Sequence, residues 1–284
     1  MHDQDAVDAF HRIYYGTPEQ TIYNTHWLGV AAQKYPTDLW IYQEIIWELR
    51  PDFIIETGTY WGGSALFLAT VCEMIDHGHV ITIDIRPIAE SQATRPAHPR
   101  ISYLEGSSVA PEVVADVRRR VDGAKTVMVI LDSDHGREHV VNELKVWSDV
   151  VTQGSYLIVE DTNVNGHPVF PDFGPGPMEA IDLFLSANAD FAPDRTREKF
   201  LLTANPGGFL RKVSGDTVEA RLLSSEVQIE EMRQALASAD ELLREVSAER
   251  DALAGAQLER DQVVQSASWR LTAPLRAIKR NLRG

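Results

Sequence analysis

The stretch DFIIETGTYWGGSALFLA, residues 52–69, decides the fold. A short run rich in β-formers passes through Gly58, Gly62 and Gly63 and continues as ALFLATVCEMI, whose apolar residues recur three and four apart. A strand feeding a helix through a glycine turn is the opening half of a βαβ unit. The pattern then recurs. HVITIDI (79–85), RISYLEGS (100–107), TVMVILDS (126–133) and SYLIVEDT (155–162) read as further strands, and EHVVNELKVWSDVV (138–151) as a helix between the last two. Strands alternating with helices imply an α/β fold with a doubly wound, mostly parallel, Rossmann-like sheet. Because the runs are apolar on both alternations, helices should cover both faces. Downstream, GPMEAIDLFLSAN (176–188) reads as a helix with proline in its first turn. KFLLTANPGGFLRKV (199–213) reads as two antiparallel arms about an Asn-Pro-Gly-Gly turn.

The 284 residues, 44% hydrophobic and 24% charged, suffice for one large domain and an appendage. A net charge of -15 argues against a general nucleic-acid binder, which needs clustered lysine and arginine. The single cysteine, Cys72, lies in the helical apolar pattern, so a core role and a reducing, cytoplasmic compartment are expected. No basic-then-apolar leader and no run of 18 apolar residues is present, so no membrane span is expected.

Four segments follow from these shifts in composition. Residues 1–50, aromatic and mixed, are expected to form a helical lid or packing layer, and residues 51–213 the main domain. Residues 214–265 lack aromatics and proline and carry a heptad pattern. Leu222, Ile229, Leu236 and Leu243 take one core position, and Met232, Ala239, Val246 and Leu253 the other, which predicts a self-associating coiled coil. Arg250 and Gln257 fall in the seam and weaken its end. Residues 266–284 form a basic tail with interleaved Trp269, Leu271, Leu275, Ile278 and Leu282, a composition suited to an anionic membrane surface or an acidic partner.

The chemistry-bearing residues gather at the predicted strand ends. Glu56 precedes the glycine turn, where a ligand can approach the backbone and a helix N-terminus offers free N–H groups. Asp84 ends the second strand, where an acid can accept from both hydroxyls of a ribose, and Gly106 to Ser108 end the third. ILDSDH (130–135) and IVEDT (158–162) bring Asp132, Glu160 and Asp161 to the same edge. Three carboxylates brought together need a cation, and oxygen-only ligands select a hard one such as Mg²⁺, Mn²⁺ or Ca²⁺. His135, entering the next helix, can act as a proton acceptor, whereas Asp134 and Glu138 suit helix capping and His139 a supporting or surface position.

The turn after Glu56 resembles motif I of S-adenosylmethionine-dependent methyltransferases. The blocks VEDTNVNGHPV (159–169), GPGPMEA (174–180) and REKFLLT (197–203) resemble the cephalosporin hydroxylase family, which includes rhamnosyl and macrolide-sugar O-methyltransferases. The resemblance spans roughly Trp40 to Val213. It implies a class I methyltransferase fold that uses S-adenosylmethionine and Mg²⁺, or another divalent hard cation, on a sugar-containing acceptor. It further implies Asp132, Glu160 and Asp161 as metal ligands and His135 as general base. Cofactor contacts are implied at Glu56, Gly58, Thr59, Tyr60, Gly62, Ser64, Asp84, Gly106, Ser107 and Asp132. The segment NGHPVFPDFGPGP (165–177) would cover the substrate, with His167 reaching into it. The SWRLTAPLR ending is similar to tails of bacterial surface-polysaccharide enzymes, and points to an O-antigen-like glycan and to contact with a membrane or a glycosyltransferase complex. Two other readings stay open. One is a hydroxylase or oxidoreductase acting on a small natural product, although iron sites of that kind usually use two histidines and one carboxylate. The other is a non-catalytic scaffold of a polysaccharide assembly complex.

Overall fold

A computed structural model describes residues 3–17, 21–86, 95–213, 218–274 and 276. The chain divides into two compact units, Met1–Val227 and Gln228–Gly284.

The first unit is built on a seven-stranded sheet. Strands β3 (Phe53–Thr57), β4 (His79–Asp84), β5 (Ile101–Glu105), β6 (Val127–Leu131) and β7 (Tyr156–Val159) are the five apolar runs. They pair in parallel, and β9 (Phe209–Lys212) and β8 (Phe191–Pro193) extend the sheet antiparallel, giving the order β5-β4-β3-β6-β7-β9-β8. Helices α3 (Gly63–Met74), α4 (Pro111–Arg120), α5 (Arg137–Trp147) and α6 (Pro177–Ala187) connect the strands. Side chains alternate across each strand, so the sheet feeds two cores. Ile55, Ile83, Val129 and Leu157 face Val117, Leu144 and Trp147, while Ile54, Val80, Met128 and Ile158 face Leu68 and Cys72. Cys72 is thus a core residue, as expected.

The described residues among the first fifty pack into this unit. They form α1 (Asp3–Gly16), the two-stranded hairpin β1 (His26–Trp27) and β2 (Val30–Ala31), and α2 (Pro36–Leu49). Pro36 opens α2, where its missing N–H costs no hydrogen bond. Ile41, Tyr42, Ile45 and Ile46 then bury one face of α2 in the second core.

Only the second arm of KFLLTANPGGFLRKV is a strand. Residues 199–203 instead run as turn and coil, following a 3₁₀ turn at Arg195–Glu198 capped by Asp194, whose carboxylate accepts from the Thr196 N–H at 3.1 Å. Lys199 and Arg197 reach out to Glu44 and Glu48 of α2, which draws the first arm away from the sheet and leaves β8 as the outer partner of β9.

The second unit is helical. Helix α7 (Val218–Gln265) ends in the short α8 (Ala267–Leu271), with α7 beginning just before the boundary between the units. Along its expected seam, Ile229, Met232, Leu236, Leu243, Val246 and Leu253 are all exposed in this single chain. The side chain of Leu222 and, in the basic tail, residues 275 and 277–284 lie outside the described residues. Among the described residues no helix is long and apolar enough to cross a membrane.

Candidate active site

Parallel α/β sheets bind ligands at the carboxyl ends of their strands, where the strand order reverses. Here the reversal lies between β3 and β6, and a cavity of about 1140 Å³ opens beside it. Gly58 is what lets the two strand ends meet. Its φ is +84°, and a Cβ there would lie 1.8 Å from the Asp132 carbonyl oxygen, so no other residue fits. Gly63 does the same for the start of α3, where a Cβ would sit 2.2 Å from the Ala31 carbonyl of the hairpin.

The glycine-turn side of the cavity carries Gly58, Thr59, Tyr60, Gly63 and Ser64 from the first turn, Asp84 from β4, and Gly106 and Ser107 from the end of β5. Gly62 is the left-handed residue that starts α3 and is not itself part of the wall. Asp84 accepts from the Tyr60 and Arg86 N–H groups, each at 2.8 Å, and pairs with the Arg95 guanidinium at 2.9 Å. These bonds hold the glycine turn and the acidic strand end in one register. Glu56 departs from expectation: its side chain is fully buried and lies behind the wall, not in it. Thr82 donates to its Oε2 at 2.6 Å, whereas its Oε1 has no partner.

The acidic side is denser than the sequence shows. Asp132, His135 and Asp161 bring one donor atom each to within 4.8 Å of one another, with His135 Nε2 3.3 Å from Asp161 Oδ2. Glu160 is not in that group. The side chain next to Asp161 turns inward, where Tyr42 donates to its Oε1 at 2.8 Å and Lys34 to its Oε2 at 2.6 Å. The same Lys34 ammonium contacts Asp132. Lys34 follows the hairpin, its N–H bonded to Thr25 Oγ1 at 3.0 Å, and is buried. Tyr42 in turn accepts from Asn205 Nδ2 at 3.0 Å, and Asn205 Oδ1 accepts the Asp161 N–H at 3.0 Å, so the TANPGG turn braces both acids.

Burial and mutual repulsion raise the carboxyls of Asp132 and Glu160 above the usual carboxylate range despite Lys34, whereas Lys34, set among acids, is held firmly protonated. Burial lowers His135, but Asp161 and Asp132 outweigh it and hold the ring above its ordinary value. Three carboxylates against one ammonium leave a net negative site before His135 is counted. Such a donor set fits a divalent cation. His139 is a support: its Nε2 lies 3.1 Å from Ser133 Oγ and 3.5 Å from Glu143 Oε1.

The open end of the cavity is aromatic, with Tyr15, Tyr23, Phe170 and Phe173 on its walls. Tyr15 packs edge-on against Phe170 at 5.2 Å and accepts from Asn163 Nδ2 at 3.0 Å. His167, expected to reach inward, instead sits 2.9 Å from Glu179 and is not among the wall residues. Lys34, Tyr42 and Tyr15 carry no motif, and Asn205 is legible only as the first residue of the Asn-Pro-Gly-Gly turn.

The family described as Rhamnosyl O-methyltransferase/CmcI matches residues 19–213. A rhamnosyl O-methyltransferase of Mycobacterium tuberculosis is 39% identical over 211 residues, spanning 72% of this chain and 85% of that protein. One of Mycobacterium leprae is 40% identical over 209 residues, spanning 72% and 89%. Among solved structures, a CmcI structure with Mg and SAM aligns with a TM-score of 0.52 at 21% identity, covering 68% of this chain and 78% of that one. A CmcI apo-structure aligns at 0.51 with 22% identity, covering 68% and 77%. At that identity the likeness establishes the fold.

Proposed function

The chain belongs to the Rhamnosyl O-methyltransferase/CmcI family, and from that premise we propose that it is a metal-dependent methyltransferase moving the methyl group of S-adenosylmethionine to a hydroxyl of a sugar. The observation that carries this reading is one cavity edged by the glycine turn and Asp84 at one end and by Asp132, His135 and Asp161 at the other. Its volume accommodates a nucleoside cofactor and an acceptor side by side.

When bound, S-adenosylmethionine supplies the methyl group, and a cation such as Mg²⁺ supplies positive charge that favours the deprotonated form of the acceptor hydroxyl. The turn from Gly58 to Ser64, with Asp84, Gly106 and Ser107, holds the cofactor. Asp132, Asp161 and Glu160 are assigned to the cation and His135 to the acceptor proton. Fixing the hydroxyl in line with the methyl group supplies much of the acceleration, since one proton acceptor contributes about 10²–10⁴-fold. The aromatic rim of Tyr15, Phe170 and Phe173 suits the apolar C–H faces of a sugar ring.

The convergence of His135 with Asp132 and Asp161 favours a second assignment, in which His135 is a ligand and not the base. The Mn²⁺ affinity of His135→Ala separates the two: retained affinity with lost turnover marks a base, lost affinity a ligand.

The finer reading is a glycan of the bacterial surface, methylated at the inner face of the membrane by a self-associated enzyme. It is supported by the heptad pattern of residues 214–265 and the basic end of the chain. Mass spectrometry of candidate glycans incubated with labelled S-adenosylmethionine and Mg²⁺ tests the activity. A labelled methyl group on a sugar hydroxyl is expected, and full transfer after chelation with no metal added would overturn the metal assignment.

A further inference from the structure

Lys34 belongs to none of the family blocks read from the sequence, yet its ammonium occupies the middle of the acidic site. It touches the partly buried Asp132 and lies 2.6 Å from the buried Glu160 Oε2. A primary ammonium placed between two carboxylates satisfies the same oxygens that a hard divalent cation would take. Glu160 cannot turn toward Asp161 while Lys34 and Tyr42 each hold one of its oxygens. Resting on the metal-dependent reading above, we propose that Lys34 is a resident surrogate cation, and that a divalent metal loads by displacing its ammonium from Asp132 and Glu160.

Two features support an exchange over a permanent pair. Without Lys34, the Asp132 and Glu160 carboxylates would lose the ammonium they share, leaving only the His135 ring, which pairs with Asp161, to offset the acids, and the buried Glu160 would keep no cationic partner. The ammonium therefore keeps the metal-free site folded. Once released, it has an acceptor to turn to: Glu56 Oε1 is buried, lacks a hydrogen-bond partner, and belongs to a carboxylate whose charge Lys34 already senses. Lys34 is accordingly a positioning residue, setting how tightly metal binds and when Glu160 becomes available.

Calorimetric titration of Mn²⁺ into the full chain and into Lys34→Met tests this, together with thermal melts in chelator and in Mn²⁺. The variant should bind Mn²⁺ more tightly, by roughly ten-fold or more given the Coulomb energy of a unit charge at contact distance. It should also melt lower in chelator and regain the loss when Mn²⁺ is added. A residue that merely braces the fold would leave affinity unchanged or weaken it, and either result overturns the proposal. Should Lys34→Met not fold, Lys34→Met/Glu160→Gln removes one charge of each sign and should fold without metal while binding Mn²⁺ weakly. Equal Mn²⁺ affinity of that double variant and of Glu160→Gln alone overturns the exchange. A crystal structure of the Mn²⁺-loaded chain with the Lys34 ammonium still on both carboxylates would overturn it too. Absence of Mn²⁺ binding by the wild-type chain and by the variants removes the metal reading itself, and the proposal with it.

Discussion

At His135 two physical effects oppose each other. Burial favours the neutral ring, while the Asp161 and Asp132 carboxylates favour the imidazolium, and the carboxylates prevail. A cation on those two acids would weaken their hold and free the ring to accept a proton. We therefore expect His135→Ala to bind S-adenosylmethionine as the wild type does, by calorimetry, while turnover falls by about 10²–10⁴-fold; undiminished turnover would take His135 out of the reaction. Phe170 should act on the acceptor alone, so Phe170→Ala should raise KM for the sugar several-fold and leave cofactor affinity unchanged. Residue by residue, the site was legible where a carboxylate or histidine ends a strand, as at Asp84, Asp132 and Asp161. It was not legible where the partner comes from far along the chain: Lys34 lies 98 residues from Asp132, and Tyr42 118 from Glu160. Adjacent acids also looked equivalent in IVEDT. The backbone separates them, because Asp161 takes φ +54° and so points to the cavity while Glu160 points to α2.

Among the elements, the segment from Asn163 to Gly176 covers the acidic end, and Glu179 on α6 is its clamp. The Glu179 carboxylate accepts from Asn165 Nδ2 at 2.9 Å and from the Gly176 N–H at 2.6 Å, with His167 Nε2 2.9 Å away. Partial burial alone would raise its pKa, but these donors outweigh burial and pull it down to about 2. Because the folded value is depressed, the stabilisation is fully present at neutral pH. It fades as pH falls below the ordinary carboxylate range toward about 2. Glu179→Gln should therefore loosen the segment at neutral pH, seen as faster hydrogen exchange over residues 163–176, and the difference from wild type should shrink on acidification. A pH-independent difference would mean that the charge is not what holds the segment. The strands and α6 were legible because period and composition are local signals. Residues 199–203 are not a strand because their partners come from far along the chain: Lys199 donates to Glu44, 155 positions away, and the Leu202 carbonyl accepts from Thr37, 165 positions away.

For the whole molecule, the long helix raises a question that the first unit does not. Its 48 residues extend about 72 Å at 1.5 Å per residue, and the described seam residues from Ile229 to Leu253 are exposed. Burying each exposed leucine in a helix pair would contribute about 1.5–3 kcal/mol, which is the physical ground for testing whether the seam pairs with a second copy. Net charge does not prevent this, because the heptad places the acids and bases of 229–253 outside the seam, apart from Arg250. Sedimentation equilibrium should give the full chain a mass that is a multiple of 31.8 kDa. Leu236→Glu/Leu243→Glu puts two charges into the middle of the seam and should return the mass to that of one chain. Methyl transfer to a small soluble acceptor should be unchanged in that variant, since every assigned site residue lies in Met1–Val227. A wild-type chain sedimenting as a monomer would overturn self-association, while a monomeric double variant with reduced transfer would mean that assembly feeds back on the site.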